Sequence, residues 1–164
     1  MLKILLIIIT TLTLTTQKSN ELCEDGLSLK LQGKYTLAIE KFNQAIKHNE
    51  NIDAYFFRAN CHFKLHEFEK SINDFTKVIE MDSLSSTSYY NRANAYIYSE
   101  KYELALVDIE KAILLEPNGA DLYNNRAVIK YKLSLPYCDD YKKSCTLGDN
   151  LGCKNYNNLC KTNK

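Results

Sequence analysis

Tyr55-Phe56-Phe57-Arg58-Ala59-Asn60, Tyr89-Tyr90-Asn91-Arg92-Ala93-Asn94 and Tyr123-Asn124-Asn125-Arg126-Ala127 are one phrase written three times. A second phrase alternates with it: Lys34-Tyr35-Thr36-Leu37-Ala38-Ile39, Glu67-Phe68-Glu69-Lys70-Ser71-Ile72 and Lys101-Tyr102-Glu103-Leu104-Ala105-Leu106. Tyr35, Phe68 and Tyr102 recur at intervals of 33 and 34 residues, and so do three further columns: Ala38, Ser71, Ala105; Phe42, Phe75, Ile109; Ala45, Val78, Ala112. Self-similarity at this period marks an array of supersecondary units. Within the second phrase the columns are spaced three or four residues apart, which is helical periodicity. With five glycines and two prolines in 164 residues, little interrupts the helices.

Each unit therefore reads as two antiparallel helices. Small residues at Gly26, Ala59, Ala93 and Ala127 let a first helix approach Ala38, Ser71 and Ala105 on the second, and Phe42, Phe75 and Ile109 fill the remaining space. One hairpin cannot bury both its faces, so neighbours must stack. The spacing predicts helices near 20–32, 35–48, 52–65, 68–81, 86–99, 102–115, 120–133, 136–146 and 149–161.

The pattern of Gly26, Gly33, Tyr35, Ala38, Phe42 and Ala45, and of Tyr89, Ala93, Tyr96, Tyr102, Ala105, Ala112 and Pro117, resembles the tetratricopeptide repeat family over about residues 19–147. The resemblance implies an all-α fold, an α-α superhelix (solenoid) of three clear hairpins, a fourth divergent one and a C-terminal capping helix. The expected organisation is a signal peptide over 1–16 and one repeat domain over 17–164, with repeats at about 19–51, 52–85, 86–119 and 120–147 and a cap at 149–161. In the fourth unit Pro136 and Tyr137 stand where an aromatic and a small residue belong, so its second helix is expected to sit differently.

Charge repeats as well. Arg58 precedes Asp74, and Arg92 precedes Asp108, by sixteen residues; Arg126 precedes Asp140 by fourteen; Asp25 precedes Lys41 by sixteen with the signs exchanged. These positions lie on facing helices of one hairpin and predict ion pairs that tune packing and register more than stability.

The N-terminus is a different text: Lys3, an apolar run over Ile4–Ile9, then threonines to Thr16. It reads as a secretory signal peptide cleaved between Thr16 and Gln17; an uncleaved anchor or a buried first helix is the other reading. The run is short for a membrane span, and none is expected after signal removal.

An exported chain favours disulfides among its six cysteines. Cys138 and Cys145 are seven apart, as are Cys153 and Cys160, so each pair shares a helix face. Gly148 is the expected helix stop, and Asp149 or Asn150 the next N-cap. Facing residues of an antiparallel hairpin have a constant index sum, and both Cys145 with Cys153 and Cys138 with Cys160 give 298. Two nested disulfides follow, stapling a cap over the open end of the array. The same stretch resembles the cysteine-paired hairpins of disulfide-rich secreted helical-repeat proteins. Zinc and reduced thiols stay open as alternatives, although the short C-x₂₋₄-C knuckle is missing. Cys61 aligns with Ala95 as a small core residue, and a Cys23–Cys61 bridge has no support in the register.

Twenty-one basic and twenty acidic residues balance to a net charge of +1, which argues against nucleic acid or an anionic membrane as partner. No Gly-rich phosphate loop occurs. His62 and His66 adjoin Cys61 without an accompanying acidic motif and are assigned a surface or turn role. No catalytic residue, metal site or cofactor is expected.

In proteins resembling this family the first helices line a concave groove. Asn60 and Asn94 recur one unit apart, with Phe56 and Tyr90 four residues earlier; Val128 takes the corresponding place in the fourth unit, beside Asn124, Asn125 follows Asn91, and Phe63 and Tyr131 lie nearby. An Asn amide both donates to and accepts from an extended backbone, so these nine residues, Val128 aside, form the expected groove. The Lys/Arg set that holds a C-terminal carboxylate in chaperone-docking members is absent. The sequence thus points to an exported, periplasmic or secreted scaffold that binds a protein or peptide of the envelope. The alternatives are a self-assembling scaffold, a homo-oligomer in effect, and a disulfide-rich repeat enzyme or carbohydrate binder.

Overall fold

The computed structural model describes residues 2–161, and of residues 2 and 6–8 the backbone alone. The described chain forms α1 (Leu2–Leu31), α2 (Tyr35–His48), α3 (Ile52–Lys64), α4 (Phe68–Met81), α5 (Ser86–Tyr98), α6 (Tyr102–Leu115), α7 (Ala120–Lys132), α8 (Cys138–Thr146) and α9 (Asn150–Leu159), with no strand among the described residues. Helices α2 to α9 fall where the periodicity puts them. α1 does not: it starts at Leu2 instead of near residue 20 and passes Thr16 and Gln17 without a break. The reason is local. No Gly or Pro interrupts the chain before Gly26, and elongating an existing helix is far cheaper than nucleating one. The hydroxyls of Thr13, Thr15 and Thr16 bond to carbonyls three or four residues back. No helix among the described residues is long and apolar enough to cross a membrane.

The chain divides into two compact units, Met1–Met81 and Asp82–Lys164. In unit 1, α1 packs on α2 and α3 on α4. Its core joins Leu22, Cys23, Ala38, Phe42, Ala45, Ala54 and Cys61, with Phe57 against Phe42. Gly26 is required there, because a Cβ would lie 2.6 Å from the Phe42 ring. In unit 2, α5 packs on α6 and α7 on α8 and α9, around Ala93, Ala105, Ile109, Ala112, Leu122 and Ile129.

The hairpin turns repeat as closely as the helices. Lys34 N–H donates to the Leu29 carbonyl, Glu67 to His62, Lys101 to Tyr96, Leu135 to Lys130 and Asp149 to Ser144. This six-to-one bond closes a helix through a left-handed residue. The left-handed residues are Gly33, His66, Glu100, Ser134 and Gly148.

Each sequence-paired ion pair is present. Arg58 donates Nε and Nη2 to the two oxygens of Asp74, and Arg92 and Arg126 grip Asp108 and Asp140 in the same bidentate way. All three aspartates are buried. Tyr55, Tyr89 and Tyr123 place their rings 5.3, 5.8 and 5.4 Å from the guanidinium three residues on, which accounts for the Tyr-x-x-Arg phrase. Arg58 also donates to Asn43 of the preceding helix. The exchanged pair, Lys41 with Asp25 at 2.8 Å, is exposed, and the lysine holds the Asp25 carboxyl below its ordinary range.

The fourth hairpin is the divergent one. α8 has nine residues where α2, α4 and α6 have fourteen. The connection to α8, 133–137, is two residues longer than 65–67 or 99–101, but α8 begins only two residues before its aspartate where α6 begins six before Asp108, which gives the shortening from sixteen to fourteen between Arg126 and Asp140. Counting from there, Tyr141 fills the place of Phe42, Phe75 and Ile109, and Ser144 that of Ala45, Val78 and Ala112; both are buried. Disulfides Cys138–Cys160 and Cys145–Cys153 join α8 to α9, with Cα atoms 5.7 and 4.3 Å apart. α8 and α9 come this close at Gly152, where a Cβ would lie 2.1 Å from Ser144 Oγ. Asp149 caps α9 through Leu151 and Gly152 N–H and accepts from Ser144 Oγ, as an N-cap aspartate should. Cys23 and Cys61 are free and buried.

Candidate functional site: the first-helix faces

In unit 1 the first helices are α1 and α3. Asn51 caps α3 through the Ala54 N–H and donates to Asn20 and Ser19 on α1. Ser19 donates to the Ala45 carbonyl and is fully buried. Beside this junction lies a cavity of about 330 Å³ lined by Asn20, Cys23, Glu24, Leu27, Asn51, Asp53 and Phe57. A shallower hollow of about 640 Å³ continues along α1 past Asn20, Glu21 and Glu24 to Leu12. Burial, reinforced by the Asp53 and Glu24 charges, pushes the Cys23 thiol up to about 11. Burial does the same to Cys61.

The predicted residues of unit 1 lie one step round the helix from this cavity. Phe56 packs edge-on against Phe57 and Phe75, Asn60 donates to the Phe56 carbonyl of its own helix, and Phe63 packs against Phe68. The residue that lines the cavity is Phe57. Its column was legible, because Asn91 and Asn125 stand 34 and 68 positions further on.

In unit 2 the first helices are α5 and α7, with α9 beside α7. Asn125 donates to Asn94 at 2.7 Å, and Asn155 donates to Asn124 at 3.1 Å. Asn20 and Asn51 of unit 1 have the same separation of 31 residues. The Tyr90 hydroxyl meets Asn94, Asp121 and Asn125, and burial raises its ionisation above the ordinary tyrosine range. Asn91 is half-buried; Tyr131 is exposed and edge-on to Tyr137. The asparagines expected to offer free amides thus spend part of their hydrogen bonding on each other, tying one first helix to the next.

His62 departs from its expected surface or turn role. It is buried, with Nδ1 2.5 Å from Glu67 and Nε2 4.0 Å from Asp74. It follows Arg58 by one helical turn, so it shares the face turned to α4. Lys70, and then His62, hold the Glu67 carboxyl below its ordinary range. His66 takes the left-handed turn position.

Residues 52–83 and 86–118 each match the family model for the tetratricopeptide repeat. Both stretches are tetratricopeptide repeats. No curated protein matches it in sequence. Among solved structures it is similar to the first TPR of Spaghetti (RPAP3) bound to the HSP90 peptide SRMEEVD, at 28% identity over 73% of this chain and 95% of that one, with a TM-score of 0.70. It is also similar to the second TPR domain of human RPAP3 in complex with the HSP70 peptide SGPTIEEVD, at 25% identity over 73% and 98%, TM-score 0.66. MamA from Desulfovibrio magneticus RS-1 shares the fold at 18% identity over 89% and 77%, TM-score 0.69. Its TPR fold is that of a protein–protein interaction scaffold.

Proposed function

We propose that this TPR protein is exported and holds an extended segment of an envelope or secreted protein on its first-helix faces. The observation that carries the reading is the cavity between α1 and α3, an aromatic and polar hollow that no side chain among the described residues fills. The peptide complexes of the similar RPAP3 domains support it. Their peptides are acid-ended, and the faces here carry Glu21, Glu24 and Asp53 in unit 1 and Asp121 beside Tyr90 in unit 2. Like charges brought together disfavour binding, so the segment held here is not an acidic tail. Export is supported by the two disulfides, which persist in oxidising compartments, and by the apolar stretch before Thr16.

The test is capture from the native envelope by the mature chain, compared with an Asn20→Ala, Phe57→Ala variant matched in thermal stability. A partner retained by the first and weakened in the second supports the reading; equal capture refutes it.

A second reading, self-association, is favoured by one feature. Leu104, Val107 and Leu114 form a stripe on α6, with exposures of 49, 64 and 71%. Light scattering in which mass rises with concentration, and stops rising in Val107→Glu, would establish it.

A further inference from the structure

The carboxylates of unit 1 are not all used alike. Glu21 pairs with Lys18, Asp25 with Lys41, Glu67 with Lys70, Asp74 with Arg58 and Glu80 with Lys77. Glu24 and Asp53, on α1 and α3, have no ion-pair partner among the described residues, yet both line the 330 Å³ cavity. Their fields converge on its wall, because both act on the Cys23 thiol. That thiol is 7% exposed, lines the cavity and makes no hydrogen bond among the described residues. Phe57 adds an aromatic surface that already takes a cation: Lys30 Nζ, which does not line the cavity, lies 5.4 Å from its ring centroid.

We infer that this cavity is the subsite for a lysine or arginine side chain of an extended peptide, its stem against Phe57, Leu27 and Cys23 and its charged head between Glu24 and Asp53. The inference rests on the proposed peptide-binding role and specifies the segment it takes. A long basic side chain combines an apolar stem with a charged head. Charge-assisted hydrogen bonds to carboxylate are the strong ones, and an aromatic face attracts the same cation. Asn20, held by Asn51 through its carbonyl oxygen, keeps its amide donor for a peptide carbonyl beside the subsite.

The test uses the full chain and fluorescent nonapeptide pools of mixed sequence, each with Lys, Arg, Ala or Glu fixed at the centre. Fluorescence anisotropy is expected to show the Lys and Arg pools bound about tenfold more tightly than the Ala pool, with the Glu pool weakest. The advantage shrinks as salt is added. In Glu24→Gln, Asp53→Asn it falls below about twofold. Because Asp53 lies in the first turn of α3, Glu24→Gln alone serves as the second variant and is expected to lose about threefold on the basic pools. Equal binding of Lys and Ala pools by the wild type, or a basic preference that survives in both variants, overturns the subsite and leaves the peptide-binding role standing. Failure of every pool to bind overturns both.

Discussion

Unit 1 and unit 2 repeat the same hairpin and hold it closed by different means. All six phenylalanines of the chain lie in unit 1. Phe42 and Phe75 are buried there, with Phe56 and Phe57 packed against them, and the two free thiols sit in the same half. Unit 2 fills its core with Ile109, Ile129, Leu122 and partly buried tyrosines, and crosslinks its last hairpin twice. The comparison teaches that the repeat columns specify the backbone, while the means of closing it can vary. Where the second helix shrinks to nine residues and offers less apolar surface, covalent links replace it.

The largest effect that would break this contrast is loss of a ring in unit 1. Phe42→Ala is expected to cost about 3–5 kcal/mol in chemical denaturation, the range for a buried phenylalanine. A loss below about 1 kcal/mol would mean that unit 1 does not depend on its rings. Next comes reduction of the disulfides in unit 2. Replacing Cys138 and Cys160 by serine is expected to cost about 3 kcal/mol by freeing the unfolded chain. Hydrogen exchange should then rise in α8 and α9 and stay unchanged in α1 to α4.

The thiols sharpen the same comparison. Cys23 and Cys61 ionise near 11 in the fold against 9.0 for a free thiol. At pH 8 the native thiolate fraction, and with it the alkylation rate, should be about a hundredfold below that of the unfolded chain. A raised folded pKa gives stability that is full below pH 9 and lost as pH rises toward about 11. Cys23→Ala, Cys61→Ala should remove that alkaline loss. A smaller effect is expected from a double-mutant cycle on Arg92 and Asp108, with a coupling of about 1–2 kcal/mol for a partly buried bidentate pair. No coupling would reduce the recurring pair to a surface coincidence. The smallest effect concerns Ser71, whose buried hydroxyl has no hydrogen-bond partner among the described residues, where Ala38 and Ala105 stand in the other repeats. Ser71→Ala should raise stability by about 1 kcal/mol.

Much of this was legible before any coordinates, and the limits are physical. Columns such as Tyr35, Phe68 and Tyr102 repeat because every hairpin must satisfy the same packing. The disulfide pairing was legible because an antiparallel hairpin fixes an index sum around Asp149. Three features were hidden. α1 extends back to Leu2 because nothing in that stretch stops a helix, which composition does not reveal when it also suggests a targeting segment. The left-handed turn column was masked because His66, Glu100 and Ser134 occupy it in place of glycine. The cavity was hidden as well: its aromatic wall is Phe57, one residue on from Phe56, a rotation of 100° that periodicity alone does not fix. The asparagine columns were legible, but side-chain partners 31 positions away cannot be seen from a 34-residue repeat.

The most direct test of the account places a photo-crosslinking residue at Asn91 on α5 or at Val107 on α6, in otherwise unchanged chains expressed in their native envelope. Binding on the first-helix face predicts that the Asn91 probe captures another protein, that the adduct maps to one extended segment of it, and that the Val107 probe does not. Capture by Val107 alone, or adducts only with a second copy of this chain, would contradict it and make the second-helix face the working surface.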